Sequence, residues 1–224
     1  MPPSPQSPAS QAEAYLRSTL SLRADSHGVA HARAVASAAG AIYDAAEFRS
    51  RGGEALGLEH DARQVVRVAA LLHDVCDHKY SDNDPAALHD FISSLLGPAD
   101  TSVVHAIIDN GSYSKQAKGK IDLAALSPPL RYLRDVVSDA DKIEAIGMAG
   151  VERCAAFQRE MAKDKNLEMT EEEIWKDVRQ HCDDKLLKLW PEYIYTQGGK
   201  DRGREPHQEI VSWCEGYDER MSKK

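Results

Sequence analysis

The chain has no apolar run approaching the roughly 20 residues that span a bilayer, no CxxC pair, and only three phenylalanines and three tryptophans in 224 residues. The first absence excludes a membrane-spanning helix and leads us to expect a soluble, cytoplasmic protein with no membrane partner. Cys76, Cys154, Cys182 and Cys214 lie far apart with no secretory signal before them, which points to reduced thiols rather than a disulfide scaffold. Positive charge is short as well: 28 Lys and Arg stand against 36 Asp and Glu, for a formal net charge of -8. That balance disfavours polymeric nucleic acid as a partner. It leaves room for a small phosphorylated substrate held at a local basic spot. The alternation of a strand and any internal repeat are both missing.

What is present is helical periodicity over enough apolar sequence (42%) for one sizeable core. The expected class is therefore all-α. Residues 1–19 read as a Pro/Ser-rich flexible lead-in and the start of a first helix, and 20–224 as one domain with a C-terminal helical extension. An alanine-rich helix spans His27 to Glu47, with Val35, Ala38, Ala39 and Ile42 at helical spacing. Asp61 caps the next helix, with Gln64 in the capping-box position, and Val65, Val68, Ala69 and Leu72 form its stripe before it ends near His73 to Cys76. Further helices are expected over Pro85–Leu95, Thr101–Asp109, Pro129–Gly150, Glu171–Trp190 and Gln208–Arg220. Gly147 and Gly150 mark close packing or a break. Loops are expected at "NGSYSKQAKGK", which is basic, and at "PEYIYTQGGKDRGREP". Trp175, Trp190 and Trp213 serve either core packing or a homodimer interface.

Four polar positions interrupt this pattern. His31 sits between alanines, His73 and Asp74 end "AALLHD", and Asp139 and Asp141 break into "VVSDADKIEAIG". Each has an ordinary reading: a satisfied helix histidine, a polar helix end, a carboxylate paired with a neighbouring cation. Together, on three helices, they offer a shared solution to the cost of burying polar groups, which is to face one cation. Two imidazoles and two carboxylates suit manganese, iron, nickel, cobalt or magnesium better than a closed structural zinc site. Such an ion activates water for hydrolysis of a phosphoester or phosphoanhydride.

The ordered series "SHGVAHARAV", "AALLHDVCDHK", "DADKIEAIG" resembles the signature of the HD-domain superfamily of metal-dependent phosphohydrolases. It is closest to the small hydrolases of the YedJ and YpgQ type, some of which are nucleotide pyrophosphohydrolases. "IIDNGSYSK" and "HCDDKLLKLWPEYIYTQGGK" are similar to later segments of those proteins. The resemblance, which runs from about residue 20, implies a single helical bundle-like HD domain. It implies His31, His73, Asp74 and Asp141 as ligands of one divalent ion, manganese first and nickel, cobalt, iron or magnesium next; Asp141 is chosen over Asp139 for its place before "KIEAIG". Asp74 and Asp77 would take part in catalysis, Asp77 by orienting water or acting as general base.

Substrate contacts are expected from His27, Lys79, His105, Ser112, Lys115, Lys118, Arg153, His181 and Lys185. For most of these an ordinary surface or turn role stands beside the functional one, and Arg33, turned away from His31, reads as a structural ion pair. The departures lie in the longer 47–60 loop and in "GKDRGREPHQEIVSW", at the outer rim of the pocket. The expected reaction takes a nucleoside triphosphate to the monophosphate and pyrophosphate. The alternatives are a 5'-nucleotidase releasing phosphate from monophosphates, and a noncatalytic metal- or nucleotide-binding sensor.

Overall fold

The computed structural model describes residues 7–19, 28–45, 54–76 and 84–223. Among them every regular element is helical, and the chain divides into two compact units, Met1–Ala140 and Asp141–Lys224. The first contains α1 (Pro8–Thr19), α2 (Val29–Ala45), α3 (Ala62–Leu72), α4 (Pro85–Leu95), α5 (Pro98–Gly111), the short α6 (Tyr113–Ala117) and most of α7 (Pro128–Ala145).

α3 is the central helix of this unit. Eight of its eleven residues are buried, which is what a helix surrounded by others requires, and it packs against α1, α2 and α5. Asp61 starts it, accepting a hydrogen bond from the Arg63 backbone N–H at 3.2 Å. The small residues Ala32, Ala36 and Ala39 are buried on α2 and let that helix approach α3 closely. Leu16, Ile42, Leu72, Ile107 and Leu133 are wholly enclosed, each contributing about 1.5–3 kcal/mol through apolar burial. Arg33 pairs with Glu13 on α1, the structural ion pair expected from its position. The fully buried Asp100 accepts from the backbone N–H groups of Glu59 and His60 at 2.8 and 3.0 Å and contacts His60 Nδ1 at 2.6 Å. This ties the segment before α3 to the start of α5.

The second unit contains the end of α7, α8 (Gly147–Asp164), α9 (Glu171–His181), two π-helical turns (Cys182–Leu186 and Leu189–Tyr193) and α10 (Gln197–Met221). α9 opens on a complete capping box between Thr170 and Glu173. Arg179 joins it to α10 through paired bonds to Asp218 at 3.0 and 2.8 Å.

Four expectations are corrected. The 129–150 helix is two helices: Gly147 has φ +83°, a left-handed turn open to glycine, and it separates α7 from α8. The 171–190 helix leaves α-geometry after His181 and continues as two π-helical turns; in the second, where Pro191 brings no N–H to the ladder, the Lys200 ammonium lies 2.6 Å from the Trp190 carbonyl and 3.1 Å from that of Pro191. The basic 110–120 loop contains α6. The "TQGGKDRGREP" segment is the start of α10, despite its glycines and Pro206. There Thr196 caps the helix by accepting from Gly199 N–H at 3.0 Å, and Trp190 Nε1 donates to the Lys200 carbonyl at 2.9 Å. Tertiary partners override composition at this point.

Gly203 shows how tight that contact is, since a Cβ there would lie 2.7 Å from Trp190 Cδ1. Gly203→Ala is expected to cost about 1–3 kcal/mol by overpacking, read as a lower urea midpoint; an unchanged midpoint would show that Trp190 moves aside freely.

Candidate metal centre

His31 is on the buried stripe of α2 that continues through Val35 and Ala39. His73 caps α3 with helical backbone angles, and Asp74 follows in the turn that leaves the helix. The Ala70 carbonyl is one of the last in α3 and so has no intrahelical N–H partner by default. His73 Nδ1 reaches it at 2.8 Å. A carbonyl only accepts, so Nδ1 carries the proton and Nε2 carries the lone pair. That Nε2 lies 3.4 Å from Asp74 Oδ2, and His31 Nε2 lies 3.8 Å from the same oxygen. The two rings meet edge to face, with centroids 5.5 Å apart. One ligand atom from each of the three residues falls within 4.8 Å of the others. Ligands about 2.0–2.2 Å from a common ion stand roughly 3–3.5 Å apart when adjacent, so the set fits a cation after small side-chain adjustments.

The expected ligand on α7 is Asp141, with Asp139 its rival. Asp139 is completely buried, whereas Asp141 is partly exposed and begins the second unit. His27, Asp77 and Lys79 lie outside the described residues.

The basic segment is more ordered than a loop. Ser112 caps α6, its Oγ accepting from Lys115 N–H at 3.4 Å and lying 3.1 Å from Ser114 Oγ. Lys115 Nζ points back to the Asp109 carbonyl at 3.5 Å, while Lys118 ends α6 exposed to solvent. Beneath this segment is a feature the sequence reading missed. Arg134, wholly buried, donates to the Asn110 carbonyl at 2.7 Å, to Asp135 Oδ1 at 2.8 Å and to Gln116 Oε1 at 2.9 Å. Ser138 Oγ donates to the Gly111 carbonyl at 3.1 Å. Arg134, Ser138 and Lys142 are all buried at i,i+4 spacing on α7. That spacing of three polar residues, one turn apart on one face, was the available signal.

In the second unit, Arg153 donates to the Glu144 carbonyl at the end of α7. Burial pushes the Cys154 thiol up, opposed by the nearby Lys185 and Arg153 charges. Burial lowers the His181 pKa, and Lys185 lowers it further, so His181 is neutral at pH 7. Arg153 and Lys185 thus lie near Cys154, and Lys185 near His181. His105 of α5 is paired with His89 of α4.

The all-α fold that carries the His31, His73 and Asp74 cluster is shared with known proteins. Solved structures share it over nearly the whole chain. Bacillus subtilis YpgQ in complex with ADP superposes with a TM-score of 0.63 at 23% identity, covering 95% of this chain and 94% of that one. A Lactobacillus plantarum protein gives 0.67 at 23% identity, over 96% and 97%. An HD-superfamily hydrolase from Bacillus thuringiensis gives 0.56 at 20%, over 96% and 97%. No protein-family model matches the sequence, and no curated protein does. No helix among the described residues is long and apolar enough to cross a membrane.

Two outcomes are expected. Arg134→Ala removes one donor each from Asp135, Gln116 and the Asn110 carbonyl, leaving Asp135 its Arg131 pair at 3.5 Å, and should cost about 3–5 kcal/mol in urea unfolding; a cost below about 1 kcal/mol would show that water replaces the clamp. Because the folded-state pKa of His181 lies below its unfolded value, acidification protonates the unfolded chain first. Stability should therefore fall as the pH drops through about 6.5, and His181→Gln should flatten that part of the pH profile.

Proposed function

We propose that the chain is a metal-dependent phosphohydrolase that converts a nucleoside triphosphate to the monophosphate and pyrophosphate. The observation that carries this reading is the convergence of His31, His73 and Asp74, with the His73 tautomer set by Ala70 so that Nε2 presents its lone pair. A nucleotide is supported by the ADP held in the YpgQ structure. In this reading Asp141 is the fourth ligand, from its place in the H, HD, D order, and manganese is the first choice of ion, before nickel, cobalt, iron and magnesium.

The ion supplies Lewis acidity and a lowered pKa for water. The chain supplies the rest. His31 and His73 contribute neutral imidazoles on rigid helical positions, and Asp74 contributes a negative charge. Asp77 orients the attacking water and takes its proton. Oxygen adds to the α-phosphorus, the bond from that phosphorus to the bridging oxygen breaks, and pyrophosphate leaves. Lys79, Lys115 and Lys118 offset charge on the phosphate oxygens. Ser112, held by the Arg134 clamp, offers a hydroxyl, and His27, Arg153, His181 and Lys185 complete the substrate contacts.

The test is hydrolysis of nucleoside mono-, di- and triphosphates by metal-stripped protein resupplied separately with Mn, Co, Ni, Mg and Zn, resolving phosphate from pyrophosphate. Pyrophosphate from a triphosphate is expected. Phosphate from monophosphates would replace this reading with a nucleotidase, and stoichiometric metal binding without turnover would replace it with a sensor. Asp74→Ala should lose metal and turnover together; full metal-dependent turnover in that variant would sink the site assignment. Lys79→Ala should raise KM at least several-fold while bound manganese stays near the wild-type level, and equal loss of metal would show that Lys79 does not act on phosphate.

A further inference from the structure

A second pair of imidazoles meets across two helices, outside the three-residue cluster. His89 of α4 and His105 of α5 have ring centroids 4.8 Å apart with planes at 30°, and His89 Nδ1 lies 3.0 Å from His105 Nε2. We infer that this pair is a second cation site, selective for a borderline first-row ion such as zinc or nickel, which it would hold as a chelate bridging α4 and α5.

The distance is the first support. Two nitrogens bound at about 2.0–2.1 Å to one ion, at angles between square and tetrahedral, stand roughly 3.0–3.4 Å apart, so the rings already have a chelating separation. The second support is the outer partner of His89, whose Nε2 lies 3.5 Å from Ser93 Oγ. With the proton on Nε2 and directed to that hydroxyl, the Nδ1 lone pair faces His105, the arrangement in which a ligand histidine is normally held. His105 Nε2–H then donates to it in the metal-free chain. Ion binding shifts the His105 proton from Nε2 to Nδ1, with no net proton released, and turns both ring lone pairs from each other toward a shared point.

The local charges agree. Burial and the neighbouring His89 depress the His105 pKa, and Asp109 opposes them, so the imidazole is neutral and able to ligate at pH 7. Asp109, one helical turn beyond His105, contributes its negative charge to the neighbourhood, and water fills the remaining positions. His89 is exposed, giving the ion a path from solvent and room for water on the remaining positions. Imidazoles select zinc, nickel or copper over magnesium or calcium, which prefer oxygen. A simple hydrogen bond between neutral rings is the competing account of the same contact.

Zinc titration of the metal-stripped full-length chain by calorimetry separates the two. Wild type should take two equivalents, and His89→Gln and His105→Gln one each, with circular dichroism of the metal-free variants unchanged. Asp74→Ala should also keep one equivalent, held by the pair. If His89→Gln and His105→Gln both titrate like wild type, the contact is only a hydrogen bond and the proposal falls. It falls equally if wild type takes a single equivalent that Asp74→Ala abolishes. None of these readings depends on turnover, so loss of the pair site and failure of the hydrolase assignment give different results.

Discussion

A helix must do something with its last carbonyls, and in this protein one of them sets the chemistry of a ligand. α3 is buried on nearly all sides, so its C-terminal carbonyls have little access to solvent. The Ala70 oxygen is satisfied by the Nδ1–H of His73 at 2.8 Å. That single bond settles the tautomer, locks the ring and turns Nε2 toward Asp74. Stability and function share the interaction: an unsatisfied buried carbonyl is costly, and the group that satisfies it is the one the site needs. The remaining members follow from position, with His31 delivered by the packing of α2 on α3 and Asp74 by its place next in the chain.

The second organising element of the first unit is the buried polar stripe of α7. Buried charge is expensive unless every lone pair and proton finds a partner. Arg134 distributes its protons over Asn110, Gln116 and Asp135, and Ser138 takes the Gly111 carbonyl. The segment bearing Ser112, Lys115 and Lys118 is thereby fastened to a rigid helix. A basic stretch held in this way loses less conformational entropy on meeting a phosphate than a free loop would.

The C-terminal unit depends on exchanges of the same kind at helix ends. Lys200 closes the carbonyls of Trp190 and Pro191, Trp190 returns a bond to the Lys200 carbonyl, and Gly203 gives the indole space. Arg179 links α9 to α10 through Asp218. Capping and cross-helix bonds compensate there for a composition rich in glycine and charge.

The helical class was legible in the sequence because apolar spacing of 3.6 residues and the absence of alternation are properties of the chain alone. So were the cap at Asp61 and the helix over 85–95, where Asp84 and Pro85 provide local start signals. His31, His73 and Asp74 stood out because polar groups on apolar stripes conflict with local expectation, and the structure joins those three. Tertiary structure alone decided what local signals cannot carry. The 196–206 segment is helical with Thr196 capping its first turn and Trp190 donating to the Lys200 carbonyl. At Gly147 the sequence left close packing and a break both open, and the structure makes it a left-handed turn between two helices. Arg134 looked like one more charged residue until the Asn110–Gly111 turn came to lie against it. The pairing of His89 with His105 needs two helices side by side. Sequence periodicity states which face of a helix is apolar; which other helix meets that face, and which polar atoms meet with it, depends on the packing of the whole unit.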